Sequence, residues 1–272
     1  MDRDRGQGTG RAIALLTDFG LRDGYVGVLK GVILTLAPTA ILVDLSHEVP
    51  RQNLRAGRFC LANAVDYFPP ETVYLAVVDP GVGCDRRAVA VRCDRGWLVG
   101  PDNGLFGGVL ERYPAIAAVE LTDPSAWRTP NPSSTFHGRD IFAPVAARLA
   151  MGTLLETLGR AIAPDSLQDL PPLTLTELAV DGSAAIAGQI QYIDHFGNGI
   201  TNIPGDRVLH KTWRAVVGDR AIGSARTYGD VPSGSPLALI GSHGWVEIAC
   251  NGHSAAAIVP FTWADPVTVL LG

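Results

Sequence analysis

Apolar residues follow two rhythms along the first half of the chain. Residues 12–16 (AIALL), 40–45 (AILVDL) and 72–78 (TVYLAVV) are short apolar runs rich in branched side chains, the pattern of buried strands. Between them, residues 24–36 place apolar groups at helical spacing and stop before Pro38. Residues 53–67 do the same before Pro69-Pro70. The order β-α-β-α-β predicts a parallel sheet with helices on both faces. A hairpin is expected over 87–93 and 96–99, turning at Asp94-Arg95-Gly96. A helix ending near Tyr113, a strand over 115–121 and a helix over 140–151 complete this half.

The rhythm changes near residue 164, where PDSLQDLPPLTL carries three prolines and no helical period. Beyond it, glycine turns punctuate short β-like runs at 184–193, 214–223, 237–240, 245–249 and 255–259. The expectation is an α/β fold. An N-terminal Rossmann-like parallel-sheet domain spans 11–165, a linker 166–180, and a small all-β, barrel-like C-terminal domain 181–272. Residues 1–10 (MDRDRGQGTG) are charged and glycine-rich with no apolar stretch behind them, and read as a disordered tail, not a signal peptide.

Charge and composition remove several classes of function. The net charge of -5, with no basic stripe, leaves no electrostatic footprint for nucleic acid. No apolar run approaches the roughly 18 residues of a membrane span. Cys60, Cys84, Cys93 and Cys250 are widely spread and form no C-x-x-C pair. They read as reduced thiols of a cytoplasmic protein, with no ligand cluster for a structural zinc and no metal expected.

Ligands of an open parallel sheet bind beyond the carboxyl ends of its strands. Asp18, Asp44 and Asp79 lie at such ends, while G-x-G-x-x-G and the P-loop are both absent. Carboxylates suit ribose hydroxyls and cationic groups. The pattern therefore favours a nucleoside or a positively charged ligand over a phosphate-bearing nucleotide.

Seven ordered segments are more specific: LLTDFGLRDGYVGVLKGVI, DLSHEVPRQNLRAG, YFPPETVYLAVVDPGVG, VGPDNGLF, TFHGRDIFAP, IDHFGNGITNI and GSHGWVEIA. Together they resemble the S-adenosyl-L-methionine hydroxide adenosyltransferase family, which is related to the fluorinase and chlorinase enzymes. The resemblance covers nearly the whole chain. It implies hydrolysis of S-adenosyl-L-methionine to adenosine and L-methionine by attack of water on ribose C5′, without a cofactor. It also implies a homotrimer with sites between subunits.

The resemblance assigns Asp18 to the ribose hydroxyls and Asp23 to the substrate amino group. It assigns Asp194 to the methionine amino group, Phe196 and Asn198 to adenine, and Ser242 to the methionine carboxylate. Asp79, Arg86 and His137 match the Asp-Arg-His set of the hydroxide-using branch. Taken singly, each has a plainer reading: a helix cap at Asp18, a loop charge at Asp23, a Gly-Asn turn around Asn198, a turn cap at Asp79, a surface charge at Arg86 and one histidine among six at His137. Two positions depart from the halogenase pattern. His243 stands where those enzymes have Arg, and Gln52 where they have a stacking aromatic.

The implied chemistry asks little of the protein. A sulfonium leaves as a neutral thioether, so sulfur needs no general acid. The hard part is the nucleophile, because water has a pKa of about 15.7. Arg86 and His137 beside a water favour its deprotonated form, with Asp79 orienting Arg86 and His137 available as base. Two other readings stay open. A halide-using enzyme is disfavoured because Asp79, Val82 and Gly138 stand where halogenases carry Tyr, Thr and Ser. A non-catalytic sensor of S-adenosylmethionine or adenosine has no need of the Asp-Arg-His set.

Overall fold

The structure, a computed structural model, describes residues 10–180 and 182–272. Of the tail expected over 1–10, residues 1–9 lie outside the described residues. The chain divides into two compact units, Met1–Leu170 and Pro171–Gly272.

The first unit is built on a seven-stranded sheet: β1 (Ala12–Thr17), β2 (Ile41–Ser46), β3 (Thr72–Val77), β4 (Ala88–Cys93), β5 (Gly96–Pro101), β6 (Ala117–Glu120) and β7 (Arg160–Ile162), in spatial order β2-β1-β3-β5-β4-β6-β7. β2, β1, β3 and β5 run parallel. β4 pairs antiparallel with β5 as the expected hairpin, and β6 and β7 continue antiparallel beyond it, so the sheet is mixed around its parallel β-α-β core. The tight turn after Cys93 reverses the chain at once, with no room for a crossover helix.

The helices are α1 (Tyr25–Leu36), α2 (Leu54–Ala64), α3 (Gly107–Leu110) and α4 (Ala143–Ala150). α1 buries Val26, Leu29 and Ile33, one helical stripe. With α4 it covers the sheet face carrying Ile13, Leu15, Val73, Leu75 and Val77. α2 begins at Asn53, whose side chain accepts from Ala56 N, and packs with α3 and against β1 and β2. Among the described residues no helix is long and apolar enough to cross a membrane.

The second unit is a barrel-like antiparallel sheet of β8 (Thr176–Val180), β9 (Ser183–Ile193), β10 (Gly199–Pro204), β11 (Trp213–Val217), β12 (Arg220–Gly223), β13 (Pro236–Ile240), β14 (Trp245–Cys250) and β15 (Pro266–Leu271). Its path runs β12-β11-β15-β9-β10-β14-β13, and a bridge from Ser224 to Ala238 draws the two ends together. The last five residues of the stretch expected as linker are not a connector: β8 pairs with β9. The β-like run at 255–259 forms a short helix, α5 (Ala255–Ile258). Ser254 caps it by accepting from Ala257 N, and alanine, the best helix former, fills it.

Candidate active site

Parallel pairing sets Thr17 opposite Val77. The chain therefore leaves β1 and β3 side by side, delivering Asp18 and Asp79 to the same carboxyl edge of the sheet. A cleft of about 320 Å³ opens there, lined by Asp18, Asp79 and His137 together with the aromatic rings of Phe19, Tyr25 and Phe136. These three rings meet edge to face, with centroids 5.4 to 6.3 Å apart. No sequence motif singled out these rings, although each stands beside a motif residue, in TDFG, DGYVG and TFHG.

Asp79, Arg86 and His137 come together. Arg86 Nε lies 3.1 Å from both Asp79 carboxylate oxygens, and Arg86 Nη2 donates to Asp79 Oδ2 at 2.6 Å. Both side chains are largely buried, at 11% and 6% exposure. Arg86 Nη2 also donates to His137 Nδ1 at 2.7 Å. Guanidinium has no acceptor, so Nδ1 must be the bare nitrogen and the neutral ring carries its proton on Nε2. Burial lowers the His137 pKa below its ordinary value of 6.5, and the adjacent Arg86 charge lowers it further. Asp79 and Asp140 offset part of this. Arg86 also lies over the Phe142 ring, 5.3 Å from its centroid, which fixes the guanidinium from a third side.

Two local devices carry the loops to this meeting point. Gly83 has φ +80, and a Cβ there would lie 2.4 Å from Ser134 O. Only glycine lets the DPGVG loop approach the segment that leads into His137. Behind His137 a π-helical turn, Gly138–Phe142, precedes α4. Within it Asp140 is fully buried and accepts from Arg128 Nε at 2.5 Å, Arg139 Nε at 2.8 Å and Ser133 N at 2.9 Å. These donors, Arg139 foremost, hold its carboxyl far below the usual carboxylate range.

Asp18 Oδ2 accepts from Gln52 N at 2.8 Å, and Gln52 sits in the left-handed region at φ 60. Asp23 stands exposed in the turn before α1 and is not among the residues lining the cleft.

The remaining expected residues lie in the second unit. Asp194 shapes the turn between β9 and β10: its Oδ1 accepts from Phe196 N at 2.9 Å and Asn198 N at 2.8 Å, and its Oδ2 from Asn198 Nδ2 at 3.0 Å. This leaves the Phe196 ring 73% exposed beside a buried Asn198. Ser242 is exposed in the turn between β13 and β14. Its neighbour His243 accepts from Trp245 N at its Nδ1, 3.2 Å away, and its Nε2 lies 3.1 Å from Glu247 Oε2. Glu247 is buried and takes Tyr228 OH at 2.8 Å. Burial and this bond push the phenol up to about 12. Glu247 lies within GSHGWVEIA, but no sequence pattern singles out one acidic residue inside a strand.

A family model of the SAM hydroxide adenosyltransferase N-terminal domain matches residues 13–159, and that of its C-terminal domain matches residues 188–268. The chain belongs to the SAM hydroxide adenosyltransferase family. An (R)-S-adenosyl-L-methionine hydrolase of Salinispora arenicola is 44% identical over 263 residues, covering 96% of this chain and 98% of the relative. The hydrolase of the same name from Thermus thermophilus is 41% identical over 270 residues, covering 96% and 100%. A crystal structure of an uncharacterized conserved protein from Thermotoga maritima matches with a TM-score of 0.86 at 37% identity, covering 94% of this chain and 99% of that one. The two matched family domains fall within the two compact units, and the Asp79–Arg86–His137 cluster and its cleft belong to the N-terminal one.

Proposed function

We propose that this member of the family hydrolyses S-adenosyl-L-methionine to adenosine and L-methionine. The observation that carries the reading is the Asp79–Arg86–His137 chain of hydrogen bonds beside Asp18 in one cleft. Names of full-length relatives supply the substrate.

Asp18 accepts the ribose hydroxyls, with Gln52 N steadying its second oxygen. Asp79 neutralises and aims Arg86, and Arg86 fixes the His137 tautomer. With its proton on Nε2 and its pKa lowered, His137 is a donor at neutral pH in this reading. A water hydrogen-bonded to Nε2 is thereby stabilised as hydroxide and gives its proton to solvent. Hydroxide oxygen bonds to C5′, the C5′–S bond breaks, and its electron pair stays on sulfur as the neutral thioether of methionine. Each turnover releases a proton. In-line placement of oxygen, carbon and sulfur supplies much of the rest.

Asp194, Phe196, Asn198 and Ser242 are assigned to the methionine and adenine ends. Because they belong to a different unit from Asp18, the proposal includes a homotrimer in which neighbouring copies complete each site. The Phe196 ring supports it: it meets the His195 ring edge to face and is otherwise largely exposed, an apolar surface on the second unit. Asp23 is proposed as a second contact for the amino group. A cytoplasmic location belongs to the same reading, in keeping with four cysteines that form no disulfide.

Incubation with S-adenosyl-L-methionine in ¹⁸O-labelled water, followed by chromatography and mass analysis, tests the reaction. Labelled adenosine and free methionine are expected. Unchanged substrate, or a 5′-halogenated nucleoside when halide is added, overturns it. Sedimentation showing a fully active monomer overturns the shared site.

A further inference from the structure

The turn that presents Asp18 is held almost wholly by the loop after β2. Phe19 N donates to Thr17 Oγ1 at 3.2 Å, Gly20 N to His47 O at 2.7 Å, and Leu21 N to Glu48 Oε1 at 3.0 Å. Gln52 N reaches the Asp18 carboxylate itself. The loop after β2 thus holds Gly20 N and Leu21 N, just beyond Asp18, and through Gln52 N holds the Asp18 carboxylate itself.

His47 is the hub of this arrangement. Its side chain is 1% exposed, and its Nδ1 lies 2.8 Å from Thr17 Oγ1, itself fully buried. Nε2 lies 3.0 Å from Asp44 Oδ1, at ion-pair distance but off the line of a straight hydrogen bond. Lys30 Nζ of α1 holds the other Asp44 oxygen at 2.6 Å. With its proton kept on Nε2 by Asp44, the imidazole offers Nδ1 as an acceptor, and Thr17 donates to it while accepting from Phe19. One ring thus fixes the hydroxyl rotor of the residue before Asp18, and its own carbonyl fixes the residue two beyond it.

We propose that His47 is a positioning residue for Asp18, acting through Thr17 Oγ1 to set the carboxylate that receives the nucleoside. The proposal rests on the reading of Asp18 as the ribose holder. It explains why a titratable ring with no access to the cleft is buried between a threonine and an ion pair. An imidazole there constrains two strands at once, which an apolar side chain of the same volume does not.

Calorimetry of adenosine binding and steady-state kinetics on full-length variants test it. Thr17→Val keeps shape and branching, so it folds, and removes only the hydroxyl. His47→Asn keeps an acceptor at the Nδ1 position, whereas His47→Gln places its amide at the Nε2 position. Thr17→Val and His47→Gln are expected to weaken adenosine binding about tenfold, the scale of one hydrogen bond. KM should rise in parallel with kcat within about twofold, since the reacting water is held elsewhere. His47→Asn is expected to restore most of the affinity, and Thr17→Val/His47→Gln to bind no worse than the weaker single variant. Normal adenosine affinity in Thr17→Val, additive losses in the double variant, or equal losses in His47→Asn and His47→Gln overturn the proposal. Asp18→Ala serves as the control. If it alone loses affinity, the role of His47 fails and the ribose assignment stands. If it binds adenosine normally, both fail.

Discussion

Arg86 Nη2 donates to His137 Nδ1 at 2.7 Å while the same guanidinium is gripped by Asp79. Because arginine only donates, this one contact settles which histidine nitrogen is bare and makes the other a donor. In the proposed reaction the cluster presents donors to a nascent hydroxide.

His137→Ala and Arg86→Ala are expected to cut turnover by about 10²-fold or more, the scale of removing one donor aimed at developing negative charge. Adenosine affinity should hold, since neither residue is assigned to the nucleoside. Single-turnover rates and calorimetry on variants with wild-type melting temperatures check this. Wild-type turnover in a folded His137→Ala removes the residue from the mechanism.

The pH dependence follows from the lowered His137 pKa. In the unfolded chain the ring titrates near 6.5, and in the folded one below it. The folded state therefore binds fewer protons between those two values. Stability from this group is fully present above 6.5 and is lost as pH falls through the folded value. Turnover should fall on the acid side with an apparent pKa below 6.5, as His137⁺ abandons Arg86, and should rise toward alkaline pH with ionisation of the water. An acid limb centred above 6.5, read from kcat against pH, contradicts the donor role.

Asp18→Ala is expected to lose more substrate affinity than Asp79→Ala, because a ribose contact acts in the ground and transition states alike. Asp79→Ala should lower kcat chiefly, by freeing Arg86. Comparison of adenosine dissociation constants with kcat for the two variants decides it.

Gly83→Ala should impair both folding and turnover. Its φ of +80 and the 2.4 Å approach to Ser134 O leave no place for a methyl group. A loss of about 2 kcal/mol in stability is expected, with kcat falling because Ser134 leads into His137. Urea unfolding and kinetics measure the two effects. Gly152→Ala, at φ +90 in open space, is the control for backbone strain alone.

Asp140→Asn removes a buried charge from between Arg128, Arg139 and Ser133 N, and should cost about 2 kcal/mol. The wild-type carboxyl is held below its ordinary range, so its contribution is present at neutral pH and is lost only as pH falls through that lowered value. Melting curves from neutral to strongly acid pH should show the gap between Asp140→Asn and wild type closing at the acid end.

Local pattern determined much of this protein. Apolar runs placed β1, β2 and β3, and helical spacing placed α1 and α2, because burial selects period and a strand or helix shows its period in its own residues. Aspartates at strand ends marked the edge where the cleft lies, since parallel strands present their carboxyl ends together. The ordered motifs named the family. Other features depend on partners far along the chain, which no local window contains. Arg86 and His137 are 51 residues apart, and only their meeting fixes a tautomer. His47 and Thr17 are 30 apart and are joined because β1 pairs with β2. The same limit hid the places of β6 and β7 in the first sheet and turned a β-like run at 255–259 into α5, where a serine cap and alanine propensity outweighed the apolar pattern. Sequence marked the candidate groups; packing decided which of their atoms are donors, which are acceptors, and where they aim.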